Sequence, residues 1–258
     1  MRIATWNVNS IRTRVDRVVD YLVRTNTDVL AMQEIKCKPD QFPYAAFEEA
    51  GYKVTAHGLN QWNGVAFASK LEAEDVETSF SGQPEFKDVL EARALGATFD
   101  GVRIWSLYVP HGRSLDDPHY AYKLEFLENL ASTTAEQVYH DPETPLALMG
   151  DFNIAPLDTD VWDLAEFEGG THVSAPERQA FEAFEQIGLS DVVRPLVPSG
   201  YTYWDYQQLR FPKNEGMRID FILGNEAFAG MVTEVSIDRD ERKGEGPSDH
   251  VPVSATIA

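Results

Sequence analysis

Residues 94–109 read ALGATF, DG, VRIWSLYV: two apolar runs on either side of Asp100-Gly101. Asp-Gly tolerates positive φ at both central positions of a two-residue turn, so the runs are expected to fold back as an antiparallel hairpin. Upstream, Tyr52–Ala56 and Val65–Ser69 repeat the pattern, with Asn63-Gly64 in the turn region between them. Further out, Arg2–Val8 and Asp28–Met32 read as strands. Between them Ile11, Val15, Val18, Val19, Leu22 and Val23 follow helical spacing. Phe42–Ala50 reads as a helix that Gly51 stops. Downstream come a long helix over Tyr120–Val138 and a buried strand over Pro145–Met149. Ser174-Ala175-Pro176-Glu177 then combines a capping box with Pro near the start of a helix that runs to Ile187, with Gly188 as its stop. Arg218–Leu223 and His250–Ile257 read as the last strands. Hairpins interleaved with helices predict an α/β (α+β), sheet-rich chain: two sheets face to face, helices outside. Residues 1–258 are expected to form one domain.

The composition is that of an ordinary soluble protein, with 43% hydrophobic and 25% charged residues. No internal disulfide can form, because Cys37 is the only cysteine; that fits a reducing cytoplasm. There is no signal-peptide pattern and no apolar run of membrane-spanning length, so no membrane partner is expected. Lys+Arg 22 against Asp+Glu 42 gives a net charge of −20. Such a chain repels polyanions at long range unless basic residues gather on one face or a divalent cation neutralises an acidic site. Walker-type loops, dinucleotide fingerprints, zinc-spaced cysteines and Gly-x-Ser-x-Gly are all absent.

The polar residues of interest fall at strand ends. In Gly150-Asp151-Phe152-Asn153 an apolar run meets an acid and an amide. On extended backbone Asp151 and Asn153 point the same way, one suited to accept a proton from water, the other to donate to a phosphoryl oxygen. A strand closed by a polar turn is the competing reading. Ser248-Asp249-His250 introduces an apolar strand, pairing a hard oxygen ligand with an imidazole that can donate to phosphate. Glu34 and Asp249 would suffice for magnesium, which takes few carboxylates. Asp220, inside the apolar run Arg-Ile-Asp-Phe-Ile-Leu, needs a buried partner, and a histidine is one possibility. His111 stands beside Tyr108-Val109-Pro110 and is placed to border the site. His57, His119, His140 and His172 show no ligand spacing and read, like His111, as solvated or hydrogen-bonded surface residues.

Thr-Trp-Asn-Val-Asn at 5–9, Gln33-Glu34, Tyr108-Val109-Pro110, Gly150–Asn153, Tyr201-Thr202-Tyr203-Trp204, Arg218-Ile219-Asp220 and Ser248–His250 occur in that order. Together they resemble exonuclease III, the bacterial apurinic/apyrimidinic endonucleases of the endonuclease/exonuclease/phosphatase superfamily. The resemblance implies a DNase I-like, four-layered sandwich with its site at one edge. It implies Mg2+ or Mn2+ held by Asn7, Glu34 and Asp249, with Asp151 and Asn153 as further candidate ligands. By the same resemblance Asp151 activates water, Asn153 steadies the transition state and Tyr108 stands near the phosphate or leaving oxygen. His250 contacts phosphate and Asp220 orients it. The implied substrate is double-stranded DNA, cut 5′ to abasic sites or digested from 3′ ends by a monomer. Tyr203, Trp204, Met217 and Ile219 are the expected abasic pocket; Arg210, Lys213 and Arg218 are the expected phosphate contacts. His111 stands where the family commonly carries an amide. Two rival readings keep the fold: a phosphoesterase acting on an inositol or lipid phosphate, and a nucleic-acid-binding regulator without catalysis.

Overall fold

The computed structural model describes residues 1–258. In chain order the strands are β1 (Arg2–Asn7), β2 (Val29–Gln33), β3 (Lys53–His57), β4 (Val65–Ser69), β5 (Glu74–Glu77), β6 (Ala94–Phe99), β7 (Val102–Tyr108), β8 (Leu146–Asp151), β9 (Ser190–Asp191), β10 (Asp220–Gly224), β11 (Val232–Ile237) and β12 (Val253–Ile257). The α-helices are α1 (Val15–Thr25), α2 (Tyr44–Glu49), α3 (Pro118–His140), α4 (Ala175–Gln186), α5 (Arg210–Lys213) and α6 (Glu226–Ala229). The Asp100-Gly101 hairpin forms as expected, with φ of 48° and 79° at the two turn residues and Phe99 facing Val102.

Six strands make each sheet, in the orders β11-β12-β1-β2-β4-β3 and β5-β6-β7-β8-β10-β9. Each sheet has one parallel pair, β1 with β2 and β7 with β8, among antiparallel neighbours. Strand for strand the second order repeats the first, with β5-β6-β7-β8-β10-β9 standing where β11-β12-β1-β2-β4-β3 stand, so the two sheets are built alike around their parallel pairs.

Burial follows the period-2 alternation of strands. Ile3, Ala31, Phe67 and Val253 of one sheet meet Ala97, Ile104, Met149 and Ile222 of the other in the inter-sheet core. The opposite faces pack outward: Trp6, Leu30 and Met32 on Tyr21, Leu22 and Phe47 of α1 and α2, and Trp105, Leu148 and Phe221 on Phe126, Leu130 and Phe184 of α3 and α4. Helix, sheet, sheet, helix is the four-layered DNase I-like sandwich.

Most strand boundaries shift by a residue or two from expectation, and two strands start two or more residues late. The last strand starts at Val253 rather than His250. Pro252 has no N–H for the ladder, and Val251 N donates to Thr202 O instead. Arg218 likewise precedes β10, its N–H donating to Asp160 O. The edge strands β5, β9 and β11 carry little of the apolar pattern that marks the others; all of β5 is exposed.

Candidate active site

The parallel pairs bring the strand-end residues together. Across the second sheet, Tyr108 of β7 pairs with Asp151 of β8, and Asp151 pairs with Asp220 of β10, so three expected residues share one row. Across the first sheet Asn7 pairs with Gln33, the residue before Glu34. Gly150 allows the row to close: a Cβ there would lie 1.9 Å from Leu107 O. Beneath the site, Gln33 Nε2 donates to Thr5 Oγ1 and Ser106 Oγ, each at 3.0 Å, tying the two sheets by a buried polar contact.

Asn7 Nδ2 donates to Glu34 Oε1 at 2.8 Å and to Asp151 Oδ2 at 3.0 Å, bridging the sheets. His250 Nδ1 donates to Asp220 Oδ2 at 2.8 Å, which supplies the buried histidine partner expected for Asp220. Its Nε2 lies 3.6 Å from Asp151 Oδ2. Glu34, Asp151 and His250 thus bring one ligand atom each within 4.8 Å of one another. Asp249 stands one contact further out, its Oδ1 accepting from Asn9 Nδ2 at 3.1 Å. Asn9 in turn accepts from Lys36 Nζ at 2.6 Å, and the same ammonium lies 2.8 Å from Glu34 Oε2. This oxygen-rich donor set suits a hard divalent cation.

Burial sets the charge states. Burial and the carboxylates of Asp220 and Glu34 push Asp151 upward, against the opposing pull of His250. For His250 burial favours the neutral ring, but Asp220 and Asp151 outweigh it and raise it to about 10. Burial would raise Glu34 too, yet Lys36 and the Asn7 amide hold it below the usual range. Burial and Glu34 push Tyr108 well above the ordinary phenol value, although the Arg93 guanidinium lies 4.9 Å from its ring centroid and opposes them. At neutral pH the site therefore offers a proton acceptor of raised basicity, an imidazolium and an intact phenol.

Asn153 is not extended: its φ is 51°, and its N–H donates to Asp151 Oδ1 at 2.9 Å, so the two side chains do not simply project in parallel. Its Nδ2 donates to Val109 O at 2.9 Å, and its Oδ1 lies 3.3 Å from His172 Nε2. The second Nδ2 hydrogen is left for another acceptor. His172 and His119 are buried, not surface residues: the first braces Asn153, and the second accepts from Gly112 N at 3.1 Å. Burial and the Lys123 ammonium hold His172 well below its ordinary value. As a neutral ring it donates from Nε2 to Asn153. His111 does border the site, its ring centroid 4.6 Å from that of His172.

Beside this centre lies a cleft of about 280 Å³. Tyr203, Met217 and Arg210 of the expected substrate set line it, joined by Trp162, Phe167, His111 and His172. Trp204 and Ile219 do not; both are buried, Trp204 against Phe211 and Ile219 against Ala155 and Val161. Arg218 is 2% exposed, donates to Val197 O and lies 3.5 Å from Asp191 Oδ2, so it has no face for a DNA phosphate. Arg210 lies over the Trp162 ring with its Nη1 2.7 Å from Glu215, while Lys213 remains largely free. The basic patch is thus smaller than the sequence suggests. Trp162 and Phe167 carried no signal beyond being aromatic. The buried histidines could have been found only through their neighbours in space.

Residues 4–250 match the Endonuclease/Exonuclease/phosphatase family. The exodeoxyribonuclease III of Haemophilus influenzae is 31% identical over 267 residues, covering 99% of both chains. A 3′-5′ exonuclease from Neisseria meningitidis superposes with a TM-score of 0.93 at 36% identity, over 100% of this chain and 99% of that one. An AP endonuclease from Archaeoglobus fulgidus does so at 0.93 and 33% identity, with the same coverage. The chain belongs to the endonuclease/exonuclease/phosphatase family, in its exodeoxyribonuclease III group.

Proposed function

We propose that this chain is a Mg2+-dependent DNA-repair nuclease that cuts double-stranded DNA 5′ to abasic sites and digests strands from 3′ ends. The observation that carries this reading is the convergence of Glu34, Asp151 and His250 within 4.8 Å at a shared sheet edge, beside an aromatic cleft. Family membership makes the chain a phosphodiester-hydrolysing enzyme. Its relatives' names supply DNA as the substrate class.

Each side chain then has a step suited to its state. Glu34, Asn7 and Asp249, with Asp151 and Asn153 alongside, would hold Mg2+ or Mn2+; when bound, the ion supplies charge neutralisation at the phosphate. Asp151 takes a proton from the attacking water. Asn153 donates its remaining Nδ2 hydrogen to a phosphoryl oxygen, and the His250 imidazolium, oriented by Asp220, donates to another. Tyr108, kept protonated, serves the leaving oxygen. Tyr203 and Met217 receive the sugar that lacks a base, while Lys213 stands ready for a flanking phosphate and Arg210, already paired with Glu215, lines the cleft beside it. The enzyme acts as a monomer, and its single buried cysteine fits a reducing cytoplasm. No helix is long and apolar enough to cross a membrane.

The test is a duplex oligonucleotide carrying one abasic analogue, and a second with a recessed 3′ end, each with and without Mg2+. Incision of the first and trimming of the second, both abolished by chelation, is the expected result. No cleavage of either with Mg2+ present would sink the nuclease reading. Turnover of an inositol or lipid phosphate instead would move the activity to another phosphoester. Nucleic-acid binding left unchanged in Asp151→Asn, with no turnover in either protein, would make the chain a regulator.

A further inference from the structure

Lys123 is fully buried in α3, and so is its counterion Glu177 in α4. A buried ion pair of this kind seldom stabilises more than an apolar pair of the same volume, because both charges lose their hydration. Here each of the three ammonium hydrogens has a distinct acceptor. Lys123 Nζ donates to Glu177 Oε1 at 2.5 Å, to Asn153 O at 2.6 Å and to His111 O at 3.2 Å. Two of those acceptors are main-chain carbonyls of the loops that follow β8 and β7, the loops that carry the site. Glu177 is fixed from its other side, where Oε2 accepts from Ser174 Oγ at 2.6 Å and Ser174 N at 3.2 Å in the α4 capping box. From the same helix Arg178 Nε donates to the next loop carbonyl but one, Ala155 O, at 3.1 Å.

Asn153 holds a left-handed backbone, which a non-glycine residue keeps only where its surroundings enforce it. Its N–H, carbonyl and side chain are each committed to a partner, and the only cation among those partners is Lys123. We propose that Lys123, with Glu177 as its counterion, is a positioning residue that fixes the Asn153 and His111 loops by their carbonyls and so aims the Asn153 amide into the site. The inference rests on the reading of Asn153 as a contributor to the reaction.

The variants to compare are Lys123→Met and Lys123→Met/Glu177→Gln. The second leaves no uncompensated buried charge and keeps an acceptor for Ser174. On the abasic duplex the double variant is expected to lose about 10- to 100-fold in kcat, as a misplacement of order 1 Å does, with KM within about threefold. Its urea midpoint should approach that of the wild type. Amide exchange at Ala155 and Gly112 should accelerate while the centres of α3 and α4 stay protected. Wild-type kcat and wild-type protection in a stably folded double variant would overturn the proposal, since the pair would then be only a structural contact. The exchange readout does not depend on turnover: if the wild type cuts no DNA yet the loops loosen as described, positioning stands and the nuclease reading falls.

Discussion

At the scale of single residues, the site is a set of charge states enforced by neighbours. Asp151 carries the most of this. Asp151→Asn preserves the acceptor for Asn7 Nδ2 on one atom but removes the proton acceptor, and kcat should fall by about 10²- to 10⁴-fold, as removal of a general base does. Single-turnover cleavage of the abasic duplex measures it, and retention of more than a tenth of wild-type rate would assign the proton to another group. Asp220→Asn removes the carboxylate that orients His250 Nδ1. A fall in kcat with KM nearly unchanged is expected, and a pure KM effect would contradict the orienting role. Why some residues could be read from sequence and others not is visible here too. Asp220 demanded a partner because an acid stood in an apolar run. His172 and Lys123 gave no such signal, because neither stands in an unbroken apolar run and their contacts with Asn153 lie 19 and 30 residues away. Arg218 misled for the converse reason: its partner Asp191 is distant in sequence, so its burial could not be seen.

At the scale of elements, the strands with apolar runs or Asp-Gly and Asn-Gly turns were legible, and the capping box of α4 forms as read. The edge strands β5, β9 and β11 were not, because pairing through the backbone on one side only places little demand on side chains; the fourth edge strand, β3, was legible through the Asn63-Gly64 turn and the apolar β4 that follow it. Two expectations belong at this scale. Asn225 caps α6 and is 1% exposed, with Oδ1 accepting from Leu146 N and Phe228 N and Nδ2 donating to Thr144 O. Asn225→Ala should lower unfolding free energy by about 2–3 kcal/mol in urea titrations without changing kcat. A loss below about 0.5 kcal/mol would show that the α6 cap is dispensable. The 110–114 loop should respond to acid through His119. Burial and the cations of Arg93 and Arg113 hold that ring down to about 4, where it accepts from Gly112 N as a neutral group. An unfolded histidine takes its proton near pH 6.5. Between those values the unfolded chain binds more protons, so stability falls as pH drops through the window. His119→Gln keeps an acceptor but cannot titrate, and should flatten this slope in urea midpoints taken at about pH 7 and 4.5. Parallel slopes in both proteins would locate the acid sensitivity elsewhere.

For the molecule as a whole, the charge of −20 and the DNA substrate must be reconciled. Arg218 is committed to Asp191, and Arg210 to Glu215. Of the three basic residues near the cleft only Lys213 is left largely free, so a divalent ion in the acidic centre is expected to do much of the neutralisation. Binding of a non-cleavable abasic duplex, its scissile phosphodiester replaced, by the wild type is expected to weaken at least about tenfold on chelation, some 1.4 kcal/mol, in fluorescence anisotropy. Affinity should also fall with salt, since the remaining contacts run through phosphates. Affinity indifferent to both would mean that the duplex is held by contacts other than these. The two-sheet core could be inferred from hairpins and helices; which strand ends meet could not, because parallel pairing sets that over long separations.

The pairing of β1 with β12 joins Arg2–Thr5 to Val253–Thr256 at the centre of one sheet, and Trp6 Nε1 donates to His250 O across the same gap. A ribosome delivers Asn7 and Glu34 early, but the strand that completes their sheet, and the histidine that faces Asp151, arrive some 240 residues later. Until His250 and β12 have been made, the chain therefore lacks both the central strand beside β1 and the imidazole beside Asp151, so the site is assembled among the last events of its synthesis.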